Sequence, residues 1–173
     1  MIETGRLILR RFRQTDLPQV ETLLRNADVM RFSEAGPLSH DACQRWLQGA
    51  VDTTGSPPPL GVFALEVKPH QAPVGYVSLR KDPPYLERNE AEFGIRVLPH
   101  IWGKGMAFEA ARAVIAMTAN AALTRIVAHV DPQNMRSIRL IELLGFARCG
   151  EVMLPGYDHP DLVFSRTAEQ KGG

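Results

Sequence analysis

Apolar and polar positions change period several times along the chain, and each change marks an element. RLILRRF (6–12) alternates imperfectly, Leu7 and Leu9 against Arg6, Ile8 and Arg10, and reads as a short strand. TDLPQVETLLRN then takes helical spacing. Leu17, Val20 and Leu24 share a face, Pro18 lies in the first turn, and Thr15 is the predicted N-cap. A loop carrying Met30, Arg31 and Phe32 precedes a second helix, HDACQRWLQGAV, capped by Ser39. Three strand-like segments follow, VFALEVK, VGYVSLRK and EAEFGIRV, separated by PHQAP and DPPYLERN as in an antiparallel meander. The stretch TTGSPPPLG is rich in Pro and Gly but too short to separate domains, so it is predicted to be a surface loop.

The second half alternates. PHIWGKGMAFEA opens a helix from about Gly105 to Asn120. The strand RIVAHV follows, then the helix NMRSIRLIELL with Gly145 at its C′ position, then the strands FARCGEVML and LVFSR. A meander followed by strand–helix–strand–helix–strand implies an α/β (α+β) mixed sheet in a single domain over residues 1–173.

Composition narrows the function classes. A chain of 173 residues with 45% hydrophobic and 23% charged content suits one globular domain with a real core. A net charge of +1 argues against a broad nucleic-acid surface, although a local basic patch remains compatible with it. No apolar run is long enough to cross a bilayer, and MIETGRLILRR lacks an apolar signal core, so a cytoplasmic location away from membranes is expected. Cys43 and Cys149 lack metal-ligand or CxxC spacing and are expected to be free thiols.

Three stretches carry candidate chemistry. In EAEFGIRV, Ala91, Phe93, Ile95 and Val97 face one way, and Glu90, Glu92, Gly94 and Arg96 the other. One reading is a strand with a core face and a solvated face. The other sets Glu92 in a cleft, where partial burial would raise its pKa and make it a base. In WGKGMA, two glycines around a lysine lead into a helix. The order is wrong for GxxxxGK followed by Ser or Thr, and Phe108 breaks GxGxxG. N–H groups at a helix start beside Lys104 would still favour a phosphate, and a tight turn needing only positive φ is the alternative. In DPQNMRSIRLIELLGF, Asn134 and Ser137 lie one turn apart and can serve one site, or merely cap a helix.

Together these stretches resemble the GCN5-related N-acetyltransferase (GNAT) family over nearly the whole chain. Trp102-Gly103-Lys104-Gly105-Met106-Ala107 resembles the acetyl-CoA loop, with Trp where Arg or Gln is usual. AEFGI looks like the family's fourth strand, and NMRSIRLIELLGF like the helix and the opening of the sixth strand. TGRLILRRFRQTDL and WGKG look like the branch of ribosomal-protein N-terminal acetyltransferases.

The resemblance implies a mostly antiparallel sheet of about seven strands, splayed between the fourth and fifth and flanked by about four helices. It implies acetyl-CoA as co-substrate and no metal. The pyrophosphate would lie on residues 102 to 107, and the pantetheine along Ile95, Arg96 and Val97, with Asn134 and Arg139 as further cofactor contacts. A primary amine, on a protein N-terminus or a small molecule, would attack the thioester directly. Glu92 would be the base and Ser137 the partner of the leaving thiolate, because Ile141 occupies the position of the usual Tyr. Met30, Phe32 and His159 would meet the acceptor, with His159 a second candidate base and the aspartates near it an attraction for a cationic acceptor. A ribosomal-protein N-terminus, an amino acid, a polyamine and an antibiotic amine all fit. A non-catalytic acyl-CoA sensor is the alternative function, and a monomer or a homodimer the expected assembly.

Overall fold

The computed structural model describes residues 1–53, 56–69, 72–83 and 85–168. The expected loop positions Thr54, Gly55, His70, Gln71 and Pro84, and the end of the domain at 169–173, lie outside the described residues.

Antiparallel pairing carries the chain through its first five strands: β1 (Ile2–Glu3), β2 (Leu7–Arg11), β3 (Gly61–Val67), β4 (Gly75–Arg80) and β5 (Glu90–Val97). Then β6 (Arg125–Val130) joins β5 in parallel, and β8 (Asp161–Thr167) and β7 (Ala147–Val152) complete the order β1-β2-β3-β4-β5-β6-β8-β7. The sheet is therefore mixed and mostly antiparallel, as expected. Its eighth strand is the two-residue β1, which is too short to leave a periodic signal.

The helices are α1 (Leu17–Leu24), α2 (Ala27–Met30), α3 (His40–Asp52), α4 (Met106–Ala116) and α5 (Met135–Leu143). The extra one, α2, is a single turn in the expected loop, capped by the Asn26 carboxamide, which accepts from the Asp28 and Val29 N–H groups. Ser39 caps α3 as its sequence predicts, accepting from Ala42 N–H at 3.2 Å. Gly145 ends α5 at φ 82°. The helix from Gly105 breaks into a 3-10 turn over Met117–Asn120.

Thr15 does not cap α1. The chain enters that helix through a 3-10 turn, Gln14–Asp16, and the Asp16 carboxylate accepts from Arg13 N–H at 2.8 Å. Arg10 pins that carboxylate through two hydrogen bonds of 2.7 and 2.8 Å and so fixes the turn.

Alternation along β2, β3 and β4 buries Leu7, Leu9, Phe63, Leu65, Val77 and Leu79. Ala110, Ala111, Val114 and Ile115 give α4 a buried face against β2, β4 and β5. Small alanines there let the helix sit close to the sheet. Two positions of β5 depart from the expected alternation. Glu90 is buried rather than solvated, because Arg125 reaches it at 3.2 Å and Glu87 N–H donates to it. Ile95 is only partly buried, for a reason that defines the site.

Candidate active site

Pairing between β5 and β6 stops early. The ladder runs through Glu90–Arg125, Ala91–Ile126 and Glu92–Val127 and then ends. Yet β5 stays paired to β4 as far as Val97, and β6 to β8 as far as Val130. The two strands therefore diverge, and the β6-facing edge of Ile95, Arg96 and Val97 has no strand partner. Such an edge offers main-chain N–H and C=O groups to an extended, amide-bearing ligand.

Two cavities meet in this divergence. The larger, of about 570 Å³, is lined by Ile95, Val97, Trp102, Gly103, Gly105 and Ala107 among others. The smaller, of about 280 Å³, reaches Glu92, His129, Asp131, Leu154, Tyr157 and Asp161. Phe32, Ile95, Arg96, Asn134, Ser137 and Leu140 line both.

At the outer end, Gly103 (φ 72°) and Gly105 (φ 74°) take the left-handed conformation that side chains with a Cβ rarely adopt. A Cβ on Gly103 would meet nothing within 4 Å, so the constraint there is conformational, not steric. Helical bonding starts with Glu109 N–H to Gly105 C=O at 3.0 Å. The N–H groups of Met106, Ala107 and Phe108 thus precede the helical ladder at the positive end of the α4 dipole. Lys104 is exposed and presents its carbonyl to Arg6, which donates at 2.8 Å, while Met106 packs on the core. Behind the turn, Glu109 accepts from Thr4, Arg6 N–H and the Arg6 guanidinium. Burial pushes this carboxyl up, but those bonds outweigh it and hold it below the usual carboxylate range. Strand β1–β2 is thereby tied to the start of α4.

Trp102 is part of the framework. Its indole N–H donates to Val97 C=O at 2.8 Å, and the Arg136 guanidinium stacks on its ring 4.0 Å from the centroid. The cation that the WGKG form lacks in sequence is thus supplied in space by α5. Arg136 and Arg139 both line the larger cavity.

Where the cavities meet, Asn134 caps α5 by accepting from Ser137 N–H at 3.2 Å. Glu92 is the last residue of β5 paired to β6. Its Oε1 accepts from the Tyr85 hydroxyl at 2.7 Å and lies 2.8 Å from His129 Nδ1. Among the described residues Oε2 has no protein partner, and the side chain is 24% exposed. Burial, then the bond to Glu92, holds the Tyr85 phenol well above its usual range, so it remains a donor. Sequence reasoning missed Tyr85 and His129. The one available signal was a polar residue inside the otherwise apolar RIVAHV.

On the acceptor side, Phe32 lines both cavities, but Met30 is only 1% exposed. Its sulfur accepts from Arg96, which also donates to Ser33 Oγ, so Met30 belongs to the packing under the α2 loop and not to a cavity wall. Tyr157 Oη accepts from Glu34 N–H at 3.2 Å, joining the β7–β8 loop to the loop after α2. His159 is committed on both nitrogens, Nδ1 to Asp158 at 2.5 Å and Nε2 to Asp131 at 3.0 Å. Those bonds, Asp158 first, raise its pKa. With both ring nitrogens engaged by carboxylates, His159 has no free nitrogen to offer an acceptor amine, against the expectation of a second base.

Residues 6–147 match the profile of the acetyltransferase (GNAT) domain. The chain belongs to the GNAT family. It superposes on a GNAT-family acetyltransferase from Bacillus anthracis with a TM-score of 0.83 at 23% identity, covering 98% of this chain and 99% of that one. A Vibrio cholerae structure named as a ribosomal-protein-serine acetyltransferase gives 0.76 at 21% identity over 96% of each chain. The aminoglycoside acetyltransferase AAC(6')-Ib with coenzyme A gives 0.75 at 20% identity, over 93% of this chain and 94% of that one. At such identities the likeness is one of fold. In this GNAT domain β5 splays from β6, the same strands whose parting the resemblance implied, renumbered by β1. Among the described residues no helix is long and apolar enough to cross a membrane. Both cysteines are free, Cys43 buried and Cys149 exposed.

Proposed function

We propose that this GNAT domain is an acetyl-CoA-dependent N-acetyltransferase in which a primary amine in the smaller cavity attacks a thioester held in the larger one. The observation that carries this is the meeting of the two cavities at Ile95, Asn134 and Ser137, where β5 and β6 part beyond Glu92 and Val127. Acetyl-CoA would supply an acyl group already activated as a thioester. The residues present suit it: an unpaired β5 edge for its amides, helix-start N–H groups at Met106, Ala107 and Phe108 for a pyrophosphate, and Arg136 and Arg139 beside them.

Glu92 accepts the amine's proton through Oε2, directly or through one water, while Tyr85 and His129 hold Oε1 and orient the carboxylate. The N–C bond forms as the C–S bond breaks, with β5 N–H groups beyond Glu92 available to the developing oxyanion. Ser137 hydrogen-bonds the leaving thiolate, and Asn134 orders the pantetheine. No covalent acyl-enzyme is needed, so neither cysteine takes part.

The test has two readings. Saturating acetyl-CoA should stabilise the protein by about 2–4 kcal/mol, and an amine panel should release free thiol. No stabilisation overturns the proposal. Stabilisation without thiol release from any amine favours an acyl-CoA sensor. Glu92→Gln should lower kcat by about 10²-fold or more while leaving the acetyl-CoA dissociation constant near wild type. Unchanged turnover at high pH in that variant would move the base elsewhere.

A further inference from the structure

The far wall of the smaller cavity holds a charge problem that acetyl transfer does not use. Asp131 and Asp161 are 8% and 6% exposed, and one carboxylate oxygen of each lies within 4.8 Å of the other and of a His159 ring nitrogen. Asp131 is satisfied, because Oδ1 accepts from Gln133 N–H at 2.7 Å and Oδ2 from His159 at 3.0 Å. Asp161 is not. Its Oδ1 is buried without a hydrogen-bond partner among the described residues. A buried carboxylate oxygen beside a second carboxylate costs several kcal/mol unless a cation meets it.

The cations nearby are committed elsewhere. His159 is held between Asp131 and Asp158, and His129 Nδ1 is on Glu92. Arg80 bonds Asp82, and Arg96 is turned onto Met30 and Ser33. The cavity wall is mixed: Phe32, Ala128, Val130, Leu140 and Leu154 give it an apolar part, and Tyr76, Ser78, Arg80 and Arg96 a polar one. A volume of about 280 Å³ equals about nine waters at about 30 Å³ each, room for a short aliphatic chain.

Resting on the acetyltransferase reading above, we infer that Asp161 and Asp131 form a subsite for a second ammonium group of the acceptor, so that the preferred substrate is an aliphatic diamine or polyamine. The attacking amine lies at Glu92, the methylenes cross the apolar part of the wall, and the distal ammonium donates to Asp161 Oδ1. A monoamine of the same length leaves that oxygen orphaned, which is the arrangement that discriminates most strongly.

The experiment compares 1,4-diaminobutane with butylamine by thiol release, and separately measures the thermal shift that each causes in protein without acetyl-CoA. The diamine should exceed the monoamine by about tenfold or more in kcat/KM, mostly through KM, since a charge-assisted hydrogen bond is at stake. Asp161→Asn and Asp131→Asn should each shrink that ratio by about fivefold or more. Equal kcat/KM for the two amines in the wild type overturns the subsite, as does a ratio that survives Asp161→Asn. Should either variant fail to fold, the wild-type ratio and its fall with rising salt decide the matter alone. The binding arm separates the two proposals. A diamine-specific shift with no thiol release removes the acetyltransferase reading and keeps the subsite, whereas monoamine turnover with no diamine shift does the reverse. Stabilisation by micromolar MgCl2, MnCl2 or ZnCl2 that is lost in Asp161→Asn, with no diamine shift, makes this a metal site and overturns the inference.

Discussion

Arg10, Asp16 and Glu66 beneath α1, and Asp131, Asp161 and His159 at the end of β6, are both clusters of largely buried charge bordering a cavity, but only the first closes on itself. Arg10 gives two hydrogen bonds to Asp16 and one of 2.7 Å to Glu66, and Asp16 also accepts from Arg13 N–H. Burial pushes Asp16 up, yet Arg10 and the Arg13 N–H together offset it and hold the carboxyl below its usual range. In the second cluster burial, then the neighbouring Asp131, drives Asp161 upward, and His129 and His159 oppose this only in part. The cavity beside the first cluster is the larger of the two, about 500 Å³ against about 280 Å³. Volume therefore does not mark the ligand subsite. An acceptor left unsatisfied after folding does.

The contrast can be broken most forcefully at Arg10. Arg10→Met strands the buried Asp16 and the partly buried Glu66 and should cost about 3–5 kcal/mol in denaturant unfolding; a loss below about 1 kcal/mol would mean the cluster is solvated. Asp161→Asn should act with the opposite sign. It exchanges an orphaned charge for an amide able to donate to Asp131, and a gain of about 1 kcal/mol is expected. A loss above about 2 kcal/mol would show Asp161 already paired.

The smallest effect is in the pH profile. The Asp16 pKa is lowered by folding, so its contribution is present above the ordinary value of 3.8 and is lost as pH falls through the depressed one. The His159 pKa is raised, so its contribution is complete below the ordinary value of 6.5 and is lost as pH rises through the folded value. His159→Gln should weaken the acid limb, because Asp158 loses the bond that lowers its pKa, and should flatten the melting temperature above about pH 6.5. An unchanged slope there would assign it to another group.

How much of this was legible in the residues depended on the range of the interaction. WGKGMA could be read because glycine conformations and helix-start N–H groups are local properties. Ser39 and Gly145 were readable for the same reason, as backbone termini satisfied by neighbours in sequence. Thr15 was misread because the chain enters α1 through a 3-10 turn fixed by Asp16, which Arg10 on β2 holds. Trp102 looked like a missing cation until Arg136 was found stacked upon it from α5. Met30 looked like a loop residue near the acceptor, but Arg96 holds it inside.

By itself, then, the chain's pattern determined the strands and main helices, the mixed sheet and the glycine turn that opens α4, since these follow from periodicity and short-range backbone chemistry. Only the tertiary structure decided where β5 leaves β6, which carboxylates are neutralised and which stay unpaired. Those depend on side chains from different elements meeting at a few ångströms, as Arg10 on β2 meets Asp16 before α1, and hydrophobic periodicity carries no record of such meetings.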